Sequence, residues 1–137
     1  WFGARVPAAL KRAVVHGDGW MGAGSSTSDD FKREVGDLHG LLEEAGRNPA
    51  TFTISKRVYM AVDDDEARAE RRLMEWFGHF YRNPEMAKRV CVWGSKEKCI
   101  ERLSELVRQG AQHLLLNPVY DYMEHMELFA EEIISEL

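Results

Sequence analysis

The chain has 137 residues, of which 45% are hydrophobic and 30% charged, and its formal net charge at pH 7 is -5. This length suits a single domain of ordinary size, and the composition is typical of a globular protein with a packed core. The acidic balance argues against nucleic acid or an anionic membrane surface as a partner. No apolar run approaches the roughly 20 residues that cross a bilayer, so no membrane span is expected.

The apolar pattern switches between strand-like and helix-like periods along the whole chain. In chain order, the predicted elements are a strand at Trp1–Ala4, a helix at Pro7–His16, a strand at Gly19–Ala23, a helix through Phe31–Ala45, a strand at Thr53–Val62, helices through Ala67–Phe80 and Ile100–Val107, a strand at His113–Leu116 and a helix at Met123–Leu137. Four repeats of strand and helix predict an α/β fold with parallel strands, as in half of a (β/α)8 TIM barrel.

Local signals mark where several of these elements begin and end. Pro7 suits the first turn of its helix, where the missing N–H costs nothing. Thr27 or Ser28 is the expected N-cap of the second helix, and Gly46 ends it. The segment 82–92 is ambiguous, although its proline indicates a helix start, and Asn117-Pro118 reads as a turn.

Two turns of small residues follow the first two predicted strands. Gly3 lies in the first turn, and Gly22-Ala23-Gly24 lies in the second. Backbone N–H groups can approach an anion closely at such residues, and each turn leads to a helix N-terminus, whose dipole favours negative charge. The pair of turns therefore predicts a phosphate cradle.

The sequence shows no metal site and no catalytic set of nucleophile, base and acid. The five histidines are scattered, and Cys91 and Cys99 lack metal-ligand spacing. We interpret both cysteines as reduced thiols, which favours a cytoplasmic protein. The chain begins in the middle of a predicted strand without a start methionine, so we expect it to be part of a longer protein.

Several segments, taken in order, form a recognisable pattern: Phe2–Leu10, Gly17–Trp20, Glu44–Pro49, Val92–Ser95, Gly110–Ala111, Leu114–Leu116 and the residues Met126, Glu127, Phe129 and Ala130. This order of residues resembles the C-terminal half of the bacterial-luciferase-like family of flavin-dependent monooxygenases and coenzyme F-420-dependent oxidoreductases. The resemblance covers essentially the whole chain, and it implies that residues 1–137 are the C-terminal half of a luciferase-like TIM-barrel domain.

The resemblance also implies a cofactor and the residues that hold it. By position, Gly3, Ala4 and Arg5 match the first phosphate-side turn of the family, and Gly22, Ala23, Gly24 and Ser25 match the second. The cofactor is FMN or coenzyme F-420. The substrate is a small molecule, and the hydride or oxygen chemistry belongs to the cofactor.

Two other functions remain open from the sequence. Four parallel strands leave an exposed edge on each side, so the chain is alternatively a non-catalytic half-barrel that pairs with itself as a homo-oligomer. A phosphate-binding regulatory domain without redox turnover is the third hypothesis.

Overall fold

The computed structural model describes residues 1–137, and strands and helices alternate along them. The strands are β1 (Phe2–Gly3), β2 (Gly19–Gly22), β3 (Thr53–Val62), β4 (Val92–Gly94) and β5 (His113–Pro118). The α-helices are α1 (Pro7–His16), α2 (Ser28–Glu44), α3 (Glu66–Tyr81), α4 (Ala87–Val90), α5 (Lys96–Arg108) and α6 (Tyr122–Leu128). Short 3-10 turns occupy Pro49–Thr51, Pro84–Met86 and Ile134–Glu136, and a π-helical turn occupies Phe129–Ile133.

All five strands belong to one parallel sheet in which β3 is central. β1 pairs with β2, and β2 pairs with the first four residues of β3. β5 pairs with Ser55–Met60, so it must lie on the side of β3 opposite to β2. The α/β class with parallel strands is therefore confirmed, β1 and β5 lie at the two sides of a half-barrel sheet, and the short β4 pairs only with the end of β3.

Alternation along β3 divides the core into two apolar clusters on opposite faces of the sheet. Ile54, Val58 and Met60 join the larger cluster, which they share with buried residues of α1, α2 and α5. Tyr59 and Ala61 join the smaller cluster, which contains buried residues of α3 and α4. Helices thus cover both faces of β3.

Three features differ from the sequence-based expectation. β4 is a fifth strand, only three residues long, and it begins at Val92, the last residue of the segment 82–92 that the sequence left ambiguous. The predicted turn at Asn117-Pro118 is wrong, because both residues continue β5 and pair with Tyr59 and Met60. The predicted single helix at Met123–Leu137 is instead α6 followed by the π-helical and 3-10 turns.

Both cysteines are free thiols in the core. Burial raises the pKa of Cys91 and of Cys99 to about 12, so the thiols stay protonated at neutral pH. Separately, none of the helices has the length and apolar character required to span a membrane.

Candidate functional site

A cavity of about 560 Å³ lies at the carboxyl ends of β1 and β2. This is the edge of a parallel sheet at which α/β barrels carry their binding sites. All seven residues predicted from the sequence to hold the cofactor line it: Gly3, Ala4, Arg5, Gly22, Ala23, Gly24 and Ser25. The remaining lining residues are Trp1, Phe2, Met21, Arg57 and Tyr81. The two turns thus share a single cavity, whose volume lies within the roughly 300–1,000 Å³ usual for ligand sites.

Backbone N–H groups of both turns are free to donate to a ligand. The N–H groups of Ala4 and Arg5 in the first turn have no acceptor within the chain. The same holds for Gly24 and Ser25 in the second turn. Ala4 and Gly24 are buried, and a backbone donor that lacks a partner is costly there, so these four groups are a suitable donor set for an anion.

Side chains behind each turn fix the orientation of these donors. The indole Nε1 of Trp20 donates to the carbonyl oxygen of Ala4 at 2.9 Å, and the ammonium of Lys56 donates to the carbonyl oxygen of Ala23. In a trans peptide the next N–H points away from the carbonyl, and the chain contains no cis peptide bond. The N–H groups of Arg5 and Gly24 therefore point away from Trp20 and Lys56.

The three glycines of the turns have different surroundings. A Cβ added at Gly3 would meet no atom within 4 Å, so the space beside this residue is open cavity. A Cβ at Gly24 would lie 2.5 Å from Cε2 of Tyr59, and a Cβ at Gly22 would lie 2.9 Å from Cδ2 of Phe31. Gly22 and Gly24 are thus required by packing, and Gly3 leaves room for a ligand.

Arg5 is tied to α2 by two long ion pairs. Its guanidinium lies 3.7 Å from Oε1 of Glu34 and 3.9 Å from Oδ2 of Asp30. Glu34 is buried, its Oε2 has no hydrogen-bond partner, and burial raises the pKa of its carboxyl group. Arg5 thus balances a buried carboxylate and is only partly available to a phosphate.

The two helix N-termini near the turns are not equivalent. α1 has neither a side-chain cap nor an acidic residue in its first turn. α2 has a complete capping box, in which the Thr27 side chain accepts from the Asp30 N–H and the Asp30 carboxylate accepts from the Thr27 N–H. Hydrogen bonds from Arg33 and Thr27 lower the pKa of Asp30 to about 2, so this carboxylate is ionised. The second turn thus leads to a helix start that a capping box already occupies, whereas the start of α1 has no side-chain cap.

Sequence reasoning missed Arg57, which brings a second guanidinium to the cavity. Arg57 is exposed, has no carboxylate partner within the chain, and its Cδ lies 3.1 Å from the position of a Cβ on Gly24. The register that pairs Gly22 with Lys56 places Arg57 one residue beyond the end of β2. The sequence feature that could have identified Arg57 was a charged residue in the middle of an otherwise buried strand.

A second, larger cavity of about 1140 Å³ lies elsewhere, along the open edge of the sheet. Its lining is mostly apolar and comes from the start of β3, from β5, from the end of α5 and from the last helical segment. It does not include any of the seven predicted residues, and it lies at the amino ends of β3 and β5. The cavity of about 560 Å³ is therefore the candidate ligand site, because barrel sites lie at the carboxyl ends of strands.

The fold is similar to solved structures of several oxidoreductases. An F-420-dependent secondary alcohol dehydrogenase in complex with an F-420–acetone adduct matches with a TM-score of 0.83 and 18% identity, over 98% of this chain and 47% of that chain. The coenzyme F-420-dependent tetrahydromethanopterin reductase from Methanopyrus kandleri matches with a TM-score of 0.76 and 17% identity, over 97% and 49%. The EDTA monooxygenase from Chelativorans sp. BNC1 matches with a TM-score of 0.71 and 12% identity, over 97% and 42%.

The chain thus spans about half the length of the structures that it matches. No curated protein sequence matches it. The family model for luciferase-like monooxygenases matches residues 1–87, which include β1, β2, β3 and every residue predicted to hold the cofactor. The chain therefore belongs to the luciferase-like monooxygenase family.

Proposed function

We propose that residues 1–137 form the C-terminal half of a flavin- or deazaflavin-dependent oxidoreductase and that this half binds the phosphate of the cofactor. The observation that carries the proposal is the single cavity into which both small-residue turns open. Its unpaired backbone N–H groups and its two guanidinium groups, from Arg5 and Arg57, suit a phosphate.

The cofactor supplies the redox chemistry when bound: reduced FMN activates oxygen, and reduced coenzyme F-420 transfers hydride to a small-molecule substrate. The chain's own residues position the cofactor. Backbone donors of Ala4, Arg5, Gly24 and Ser25 would hold the phosphate oxygens, and Arg57 would neutralise their charge. Coenzyme F-420 is the first cofactor to test, because the two matched structures described above with the higher TM-scores are F-420-dependent.

The free buried thiols are consistent with a cytoplasmic location.

Gly3 offers the cleanest test of the phosphate site, because its Cβ position is open. The Gly3→Asp variant should fold and should weaken binding of F-420 or FMN at least tenfold, since it places a carboxylate beside the phosphate. Gly3→Asn has nearly the same size without the charge and is the matched control. Fluorescence titrations of both variants and the wild type measure the effect. Equal affinity of the Asp and Asn variants for the cofactor would contradict the phosphate assignment.

A second candidate function is self-association through the open edge of the half-barrel. β5 pairs only with β3, and the apolar cavity of about 1140 Å³ lies beside it. Met126 and Ile134 line this cavity and are each 57% exposed. Large exposed apolar patches mark interaction surfaces. In this alternative, the chain is a non-catalytic half-barrel that pairs with a second copy.

Sedimentation equilibrium tests the pairing. The wild type should form a dimer at micromolar concentration, and the double variant Met126→Glu/Ile134→Glu should remain monomeric, because two buried charges would destabilise the interface. Lys11→Gln/Lys32→Gln, at two exposed positions, changes the net charge by the same amount and is the control. A compact wild-type monomer at every concentration would contradict self-association.

A further inference from the structure

Lys56 is a buried cation directly behind the second turn. It lies on the central strand of the sheet, and only 3% of its surface is exposed. Its ammonium donates to the carbonyl oxygen of Ala23, to the carbonyl oxygen of Ser26 at 3.0 Å and to the hydroxyl of Ser26 at 2.7 Å. These three acceptors use all three of its protons, so the side chain is held in one position.

The second turn separates Lys56 from the cavity of about 560 Å³, which we call the cofactor cavity. Ala23, Gly24 and Ser25 line that cavity, whereas Lys56 and Ser26 line a different, smaller cavity of about 100 Å³ on the other side of the turn. With the carbonyl of Ala23 held by Lys56, the next N–H, that of Gly24, must point away from Lys56. Lys56 therefore cannot contact a ligand in the cofactor cavity, but it can orient the donor that does.

The charge of Lys56 compensates for an unfavourable feature of the second turn. The helix that follows this turn has a capping box, and Asp29 and Asp30 lie in its first turn. An anion bound at Gly24 and Ser25 would thus meet the negative charge of these two carboxylates, which opposes the helix dipole. A buried ammonium one hydrogen bond behind the turn acts in a medium of low dielectric and offsets that repulsion.

We propose that Lys56 is a positioning residue of the phosphate site, which directs the Gly24 N–H into the cavity and supplies positive charge for the bound phosphate from behind the turn. This inference rests on the proposed function, since it assumes that the cavity holds a cofactor phosphate. It assigns to Lys56 an effect on phosphate affinity that acts through the turn, without contact to the ligand.

The charge on Lys56 also makes phosphate binding depend on pH. Burial lowers the pKa of Lys56 to about 8. The charged groups that face it across the turn and α2 are Arg5, Asp30 and Glu34. Because the ammonium is charged below this pKa and neutral above it, the attraction for phosphate is present at neutral pH and is lost as the pH rises through about 8.

The groups on the far side of Lys56 belong to α4, α5 and the segment between α4 and β4. They are Arg89, Cys91, Arg102 and Glu105, which line the cavity of about 100 Å³ together with Lys56. Burial raises the pKa of Cys91 to about 12, so this thiol does not titrate in the same range as Lys56.

The test compares pairs of ligands that differ only in the phosphate. Fluorescence titrations measure the affinity of the whole chain for the deazariboflavin 5′-phosphate and for the deazariboflavin itself, and in parallel for FMN and for riboflavin. The phosphate preference is the ratio of the two affinities in each pair. Lys56→Met should lower this preference about tenfold at pH 7 and leave the affinity for the phosphate-free ligand unchanged, since the charge and the directed Gly24 N–H both act on the phosphate. Lys56→Arg should retain most of the preference.

Lys96→Met is the matched control, because Lys96 lies in an exposed ion pair with Glu132 at the start of α5. The phosphate preference of Lys96→Met should equal that of the wild type. The wild-type preference should fall between pH 7 and pH 9.5, and that of Lys56→Met should stay constant. If Lys56→Met does not fold, the pH profile of the wild type decides by itself.

The outcomes separate this inference from the proposed function. A wild type that binds no ligand of either pair, or shows no phosphate preference in either, overturns the proposed function and this inference with it. A wild type that prefers the phosphorylated ligand, with a preference independent of pH and of the Lys56 substitutions, keeps the proposed function and overturns the role of Lys56.

Discussion

At the scale of single residues, Gly24 and Gly3 show how the same residue type serves different purposes in the two turns. Gly24 faces the ring of Tyr59, whereas Gly3 faces open space. Neither has the positive φ that only glycine adopts readily. Gly24 is therefore fixed by the packing of β3 beneath the turn, and a substitution there disturbs the fold before it tests the ligand.

We expect Gly24→Ala to lower the free energy of unfolding by about 1–3 kcal/mol, because its Cβ would lie 2.5 Å from Cε2 and 2.9 Å from Cδ2 of Tyr59. Gly3→Ala is the control and should change the free energy of unfolding by less than about 0.5 kcal/mol. Urea unfolding followed by circular dichroism measures both. Equal stability of the two variants would contradict this description of the second turn.

The buried carboxyl group of Glu34 should make stability depend on pH. Burial raises its pKa above the usual value of 4.5, so the folded chain binds this proton more tightly than the unfolded chain. The contribution of Glu34 to the free energy of unfolding must then fall as the pH rises from 4.5 through the raised pKa of the folded chain. Glu34→Gln removes this titration.

We therefore expect the stability of Glu34→Gln relative to the wild type to increase between about pH 4 and about pH 7. Urea unfolding at both pH values measures the difference. Glu43→Gln, at an exposed position of the same helix, should show no such change. A Glu34→Gln difference that is the same at both pH values would refute the assignment of a raised pKa.

At the scale of elements, the sequence was most informative where local chemistry decides the structure. α1 begins at Pro7 and β3 covers Thr53–Val62, both as predicted. The second helix is capped by Thr27, one of the two expected residues, and it is followed by Gly46 with a positive φ of 63°. Proline, capping side chains, glycine and β-branched residues act within a few positions of themselves, so the sequence displays them directly.

The sequence was least informative where structure depends on a partner element. β4 has three residues and forms only because Met60–Val62 lies beside it. Pro118 lies within β5 because β5 is an edge strand, where a missing N–H is tolerated. Lys56 reaches Ser26 across a sequence separation of 30 residues, through the pairing of β2 with β3. No local pattern shows which strands become neighbours, so these three features were not predicted.

The capping box of α2 gives a prediction at this scale. Thr27→Ala removes the acceptor for the Asp30 N–H and should lower the free energy of unfolding by about 1 kcal/mol. Ser28→Ala, one residue later, removes only an exposed hydrogen bond to Gln109 and should have a smaller effect. Thermal unfolding of the two variants compares them. An equal loss of stability would show that the box does not hold the start of the helix.

At the scale of the whole molecule, the residues that we propose to bind phosphate line one cavity of this chain, although the chain spans only about half the length of its structural relatives. β1, β2 and β3 are adjacent in both sequence and sheet, so the two turns and Arg57 come together without any other segment. The open β5 edge and its apolar cavity lie elsewhere. The proposed phosphate binding and the proposed association through this edge therefore involve different residues, and single experiments can distinguish them.

The most direct test of the proposed phosphate site at the two turns is a two-dimensional NMR titration of the ¹⁵N-labelled chain with coenzyme F-420 and with FMN. We expect the largest amide shifts at Ala4, Arg5, Gly24 and Ser25, because their N–H groups donate to no acceptor within the chain and line the cavity. The ligands without phosphate should produce smaller shifts at these four amides. Shifts confined to the apolar cavity beside β5, or identical shifts with and without the phosphate, would contradict the phosphate site at the two turns.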